Sequence, residues 1–312
     1  MAETSPITRD RNALARRVAP AATGAVAFLA VAALYMAGDR ALYMRIIEAW
    51  GVRPALFPFF DTSAVLSWLR CFRLGVDVFA TNPCDPLGRL FNYSPLWLAA
   101  SVLPVTTAWT EPVGLTVVLG FLLSMLLLPP GRSLREVAVI VAGTLSTAVV
   151  FAAERANADL VIFALAAPAA ALACRDRTEL RLAGYGLAFL AGLLKFYPMT
   201  LMTLATRERP KLFLLVALVS VAVLVAFVAI EQRDLARALA LIPAGSYFGD
   251  MIGAKMLPAG LAQAAQLPDS VGLYAELALV VSALALGGRI GSGATLHADL
   301  AALTGASYFH FT

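Results

Sequence analysis

Charge is what this sequence has least of. Of its 312 residues only 14% are Asp, Glu, Lys or Arg, against roughly a quarter in soluble domains, and 60% are apolar. With a mean hydropathy of +0.80, an ordinary water-soluble fold is excluded, and the length leaves no room for a separate soluble catalytic domain. Histidine and cysteine are also scarce. The two histidines, His297 and His310, have no cysteine or carboxylate cluster at ligand spacing, so no zinc site is predicted. No Gly-rich loop ends in Lys-Ser or Lys-Thr, which excludes a P-loop driven by ATP. The net charge of +4 comes from basic residues scattered between apolar runs. They read as the cationic loops of a membrane protein, and nucleic acid is excluded as a partner. Arginine outnumbers lysine 21 to 3, the usage of a high-GC bacterium.

What is abundant is long apolar runs. Segments 19–38, 112–130, 137–153, 160–174, 182–206, 212–230 and 271–288 are predicted as spans, because about 20 apolar residues cross the hydrocarbon core. Run 19–38 is read as a retained anchor, and 94–105 is placed as an interfacial or partly inserted helix. The expected fold is all-α: a single polytopic membrane domain over 1–312 with about eight transmembrane or partly inserted helices. Residues 39–93 form a long first outer segment, and 94–312 form the helical membrane core.

Orientation follows from the bias of Lys and Arg toward cytoplasmic loops. Arg9, Arg11, Arg16 and Arg17 put the N-terminus inside, with loops 131–136 and 175–181 inside and 39–93 and 154–159 outside. The run 182–206 strains this parity, because Arg207, Arg209 and Lys211 follow it and also belong inside. Lys195-Phe196-Tyr197-Pro198 lies at its middle, where proline removes a donor and disfavours helix at the residue before it. A bent, hairpin-like pair of short helices is therefore favoured over one tilted crossing. Residues 231–270 then lie outside and Arg289 inside. The stretch 300–312 begins as an apolar helix and stops before it crosses, as in a shortened chain.

In so apolar a chain each retained polar group near lipid is a functional candidate. Asp61 sits among aromatics in FPFFDTSAVLSWLRC, where partial desolvation makes a carboxylate a better base; Asp before Thr-Ser-Ala-Val reads equally as a helix N-cap. The segment from Asn82 to Arg89 is a loop of turn formers. Tyr93 and Trp97 form an aromatic belt that can also stack on sugar faces. Glu154-Arg155-Ala156-Asn157-Ala158-Asp159 is more polar than a short link requires. Arg155 can pair with a phosphate, and Asn157 and Asp159 with hydroxyls, unless these charges pair among themselves. Lys195 either snorkels or meets an anionic headgroup. Cys71 and Cys84 fall in the outer segment, where a disulfide between them is permitted, and Cys174 is left free.

Three stretches, FPFFDTSAVLSWLRCFRLGVDVFATNPCDPLGRLFNYSPLWL, ERANADLVIFAL and LAGYGLAFLAGLLKFYPMTLM, together resemble the bacterial polyprenyl-phosphate-dependent glycosyltransferases of GT-C architecture. The likeness is to glycosyltransferase family 87 (DUF2029), of the mycobacterial mannosyltransferase type, and covers about residues 55–205. It implies a membrane hexosyltransferase, with mannose favoured, acting on the outer face of the bacterial plasma membrane without a cofactor. The donor is a polyprenyl-phosphate sugar and the acceptor a lipid or glycan. Asp61 matches the family's general base. Arg155 and Lys195 would steady the leaving phosphate, Asn157, Asp159 and Tyr197 would hold sugar or acceptor, and Tyr93 and Trp97 would line access from the bilayer. A lipid or small-molecule transporter would need paired half-symmetry or a charged path, and neither is present. A non-catalytic membrane scaffold remains the other alternative.

Overall fold

The computed structural model describes residues 6–242 and 256–292; the stretch 300–312, with His297 and His310, lies outside the described residues. Those described are helical, with no strand among them. In chain order the α-helices are α1 (Pro6–Met36), α2 (Arg40–Ala49), α3 (Phe60–Arg73), α4 (Thr110–Ser124), α5 (Leu134–Thr144), α6 (Thr147–Arg155), α7 (Ala158–Ala173), α8 (Thr178–Leu194), α9 (Pro210–Leu241), α10 (Met256–Ala264) and α11 (Asp269–Ser292). Two long 3-10 helices, Pro95–Val102 and Tyr197–Arg207, complete the frame. Side-chain caps set several starts. Asp39 accepts from the Leu42 amide at 3.0 Å, and Ser133 from the Glu136 amide at 3.2 Å. Each satisfies a donor that the first turn leaves open.

Among the described residues three helices are long and apolar enough to cross a membrane: Asn12–Met36, Thr107–Leu127 and Pro210–Leu241. The pair α5 and α6 makes a fourth if its 46° bend lies within one span. Over its described residues the protein is thus all-helical, with three or four candidate membrane helices. The predicted runs 160–174 and 182–206 are realised as shorter pieces. Helix α7 has 16 residues, about 24 Å at 1.5 Å per residue, short of the roughly 30 Å hydrocarbon core. The stretch 94–105 contains a 3-10 helix of 8 residues.

The run 182–206 is broken, as the Lys195-Phe196-Tyr197-Pro198 pattern predicts. Helix α8 stops at Leu194, Lys195 is extended, and the chain returns along α8 as the 3-10 helix Tyr197–Arg207. Three-residue periodicity supports this form. Thr200, Thr203 and Thr206 each donate a hydroxyl hydrogen bond to the carbonyl three residues earlier, at 3.0, 2.7 and 2.7 Å. The fold-back is tight, since a Cβ on Gly192 would stand 2.8 Å from the Met199 methyl carbon. It returns Glu208 to Arg181, with which it forms a two-pronged ion pair. The basic segments 175–181 and 207–211 therefore share one end of the helices. Lys195 turns at the opposite end.

Packing between helices relies on small residues. Ala166, Ala169 and Ala170 of α7 are buried, as is Ala188 of α8, and Gly184 comes so close that a Cβ would stand 2.7 Å from the Ala169 carbonyl oxygen. Where lipid offers no hydrophobic drive, such close backbone contact is what holds helices together. A larger apolar cluster of Phe59, Val118, Phe121, Leu122, Val149 and Leu160 joins the segment 39–93 to α4, α6 and α7. A second, around Trp68, Cys71, Val78 and Phe91, builds that segment itself, and the Cys71–Cys84 disulfide crosses it.

Candidate functional site

Helix α3 begins at Phe60 because Phe59 takes a left-handed conformation, φ 62°. Its amide donates to the Glu154 carbonyl at 2.7 Å. A left-handed non-glycine residue costs on the order of 1–2 kcal/mol, which packing must offset. The Phe59 ring lies where a Cβ on Gly114 would be, 2.3 Å from the Phe59 Cγ position. Gly114 is therefore needed for this turn. The start of α3 locates Asp61 in its first turn, yet Asp61 caps no backbone amide. Asn157 donates to its carboxylate at 2.7 Å, and an Arg155 terminal nitrogen stands 3.9 Å away.

The link 154–159 faces Asp61 because of its own backbone. Ala156, at φ 44°, ends α6 in the left-handed region, and its carbonyl accepts from the Thr62 hydroxyl at 2.8 Å. Asn157 caps α7 by accepting from the Asp159 amide at 2.9 Å while its amide group holds Asp61. Asp159, buried, accepts from Tyr197 at 2.9 Å and from the Lys195 ammonium. The ammonium also lies 5.9 Å from the Tyr93 ring centre and 5.8 Å from that of Tyr197. Tyr93 stands between Trp68 and Trp97, and the Trp97 indole donates to the Leu194 carbonyl at 3.1 Å. All eight residues singled out in the sequence thus gather at one end of the helices.

The structure decides between alternatives that the sequence left open. Asp61 is not an N-cap, because the turn at Phe59 aims it at Asn157. Both candidate cations are engaged: Lys195 with Asp159, and Arg155 beside Asp61 and over the Phe151 ring at 4.3 Å. Neither is saturated. An ammonium carries three donors and a guanidinium five, and the buried Arg155 Nε makes no hydrogen bond.

The electrostatics favour a proton acceptor. Burial raises the Asp61 carboxyl above its ordinary 3.8, and Arg155, the Asn157 hydrogen bond, Arg89 and Lys195 pull it back without cancelling that rise. The side chain keeps 18% of its surface exposed, so a substrate hydroxyl can reach it. Tyr93 is held far above the ordinary phenol value by burial and by Asp61 and Asp159, so it remains a hydrogen-bond donor.

The sequence reading did not single out Arg89. Its guanidinium lies 3.7 Å over the Phe60 ring, donates to the Phe60 carbonyl at 3.2 Å and pairs with Asp85 at 2.7 Å. The signal was the four-residue spacing of Asp85 and Arg89 within the turn-rich loop. Among the described residues no three His, Cys, Asp or Glu side chains come together to hold a metal ion. No protein-family model matches the chain, and neither a curated protein nor a solved structure gives a significant match.

Proposed function

We propose that this chain is a membrane glycosyltransferase of GT-C type, similar to glycosyltransferase family 87. It would have about eight crossing or partly inserted helices in a bacterial plasma membrane. It moves a hexose, mannose being favoured, from a polyprenyl-phosphate sugar to a lipid or glycan hydroxyl. The observation that carries this reading is the convergence of Asp61 with Arg155, Asn157, Asp159 and Lys195 from segments up to 134 positions apart, at the end of the helices remote from the basic loops.

The chemistry follows from these groups. Asp61, raised by burial and partly open, takes the proton of the acceptor hydroxyl as its oxygen attacks the anomeric carbon. The sugar–phosphate bond breaks with inversion, and the lipid phosphate leaves with the bonding pair. Spare donors of Lys195 and Arg155 meet the charge that grows on it, where a preorganised cation is worth more than in water. Asn157 keeps Asp61 aimed, and Asp159 with Tyr197 keeps Lys195 at the site. Tyr93 and Trp97 offer faces on which a sugar ring can stack.

The test supplies membranes containing the protein with labelled mannose on polyprenyl phosphate or on a nucleotide, plus a native lipid extract. Incorporation from the polyprenyl donor alone is expected. Incorporation from neither donor, or from the nucleotide sugar alone, would overturn the reading.

A further inference from the structure

A cavity of about 780 Å³ lies among α1, α2, α4 and the α5–α6 break. The segment Phe57–Phe59 and Glu154 form the wall nearest Asp61, but Asp61, Asn157, Asp159 and Lys195 do not line it. It is therefore a second space beside the candidate site.

Its two ends differ. On α1 the lining runs from Gly24 to Met36, and on α4 from Thr110 to Leu122. Each stretch covers 13 residues by position, about 18 Å of helix between its end residues, close to the roughly 15 Å depth of one leaflet's hydrocarbon. Toward one end the walls are Ala27, Phe28, Val118 and Phe121. Thr144, also there, already donates to the Ile140 carbonyl at 2.8 Å. Ordered water needs several polar partners, and this end offers almost none, whereas an apolar chain needs none. The other end holds Tyr35, Tyr43, Ser63, Thr110, Glu111 and Glu154.

Charge narrows the head group. Two carboxylates line the cavity and no Lys, Arg or His does, so a phosphate or carboxylate head would be repelled. Glu154 accepts from the Tyr43 hydroxyl at 3.1 Å and the Ala55 amide at 3.2 Å through one oxygen. Its other oxygen makes no hydrogen bond, and the Arg155 Nε stands 4.0 Å away. That oxygen has no surface open to the cavity; the exposed Glu111 carboxylate at the same end is the acceptor that a donor-bearing head can reach.

We infer that this cavity binds an amphiphile with one long apolar chain and an uncharged, hydroxyl-bearing head. The chain lies between α1 and α4, and the head sits at the Glu154 and Tyr43 end. Cations and anionic donor chemistry are confined to the Asp61 side, and hydroxyl recognition without cations to this one. Occupancy does not depend on sugar transfer.

The experiment uses the full chain in lipid nanodiscs with a long-chain alcohol carrying a diazirine on its chain, and an alkyl phosphate of equal length as comparison. Cross-linked peptides are mapped by mass spectrometry. The alcohol should label the lining stretches of α1 and α4, at least about tenfold more than the phosphate, equivalent to ~1.4 kcal/mol. Ala27→Trp, which fills the apolar end, should remove this labelling. Glu154→Gln, which keeps the shape, should bring the phosphate's labelling up toward the alcohol's, so the inference can still be tested if Ala27→Trp does not fold. Asp61→Asn should leave the labelling unchanged, which separates this site from the fate of the transferase reading. Equal labelling by both probes in the native protein, or labelling spread over the lipid-facing α9 alone, would overturn the inference.

Discussion

Replacing Asp61 by Asn separates chemistry from architecture. The substitution keeps the shape, and the new carbonyl oxygen can still accept from Asn157, so the 2.7 Å contact is retained. What is lost is a charge and a proton acceptor. Removal of a positioned base typically costs 10²–10⁴-fold in rate, so transfer should fall by about that factor. Stability should move the other way. The Arg155–Asp61 attraction at 3.9 Å amounts to about 4 kcal/mol at an effective dielectric of ~20. Desolvation outweighs it, since the carboxyl stays above 3.8. A carboxyl raised in the folded state binds more protons there than in the unfolded chain, so its contribution to stability is lost as pH rises from 3.8 through the raised value. At neutral pH the Asn variant should therefore unfold no more readily than the native protein. Any advantage should vanish as pH falls below the ordinary carboxylate range. The paired assays are transfer from labelled polyprenyl-phosphate mannose and thermal unfolding in detergent across pH. Transfer retained within about threefold, well under the usual cost of losing a base, would refute the role given to Asp61. Lost transfer with a lower unfolding temperature at neutral pH would show that the carboxylate serves the fold.

Three further outcomes follow from the same geometry. Gly114→Ala puts a methyl group 2.3 Å from the Phe59 Cγ position; overpacking of this kind costs about 1–3 kcal/mol, so thermal unfolding should occur earlier, and the same substitution should cost much less in a chain that already carries Phe59→Ala. Lys195→Met leaves Asp159 buried with Tyr197 but no cation, a loss of about 3 kcal/mol, at the low end because Lys195 is 29% exposed; adding Asp159→Asn should recover stability but not transfer. Cys71→Ser with Cys84→Ser opens a loop of 13 residues in separation, which lowers stability by about 3 kcal/mol; limited proteolysis should then cut between residues 74 and 94, where the native protein resists.

Much of the site was legible because polar groups are costly in an apolar chain. Arg155, Asn157, Asp159 and Lys195 stand out against 60% apolar residues without any knowledge of what they touch. Their partners were not legible. Asn157 and Asp61 are 96 positions apart, and Tyr43 and Glu154 are 111 apart; no local pattern carries such pairings. Arg89 was passed over because its role depends on the Phe60 ring beneath it, and that contact needs the whole loop in place.

The helices divide in the same way. Scarce charge and apolar runs determine a helical membrane protein, since only a helix satisfies its own backbone groups in lipid. Lys195-Phe196-Tyr197-Pro198 also determines its own bend, because proline's missing donor is a local fact. The break in the apolar run 137–153 has no proline to announce it. There Trp50 donates its indole hydrogen to the Leu145 carbonyl at 2.6 Å, and Thr147 donates its hydroxyl hydrogen to the Trp50 carbonyl at 3.0 Å. The Trp50 side chain, 95 positions away, takes up a carbonyl that the helix would have used for itself, and the 46° bend results. Where a helix can continue is thus fixed by composition; where it stops depends on which distant group completes its hydrogen bonds.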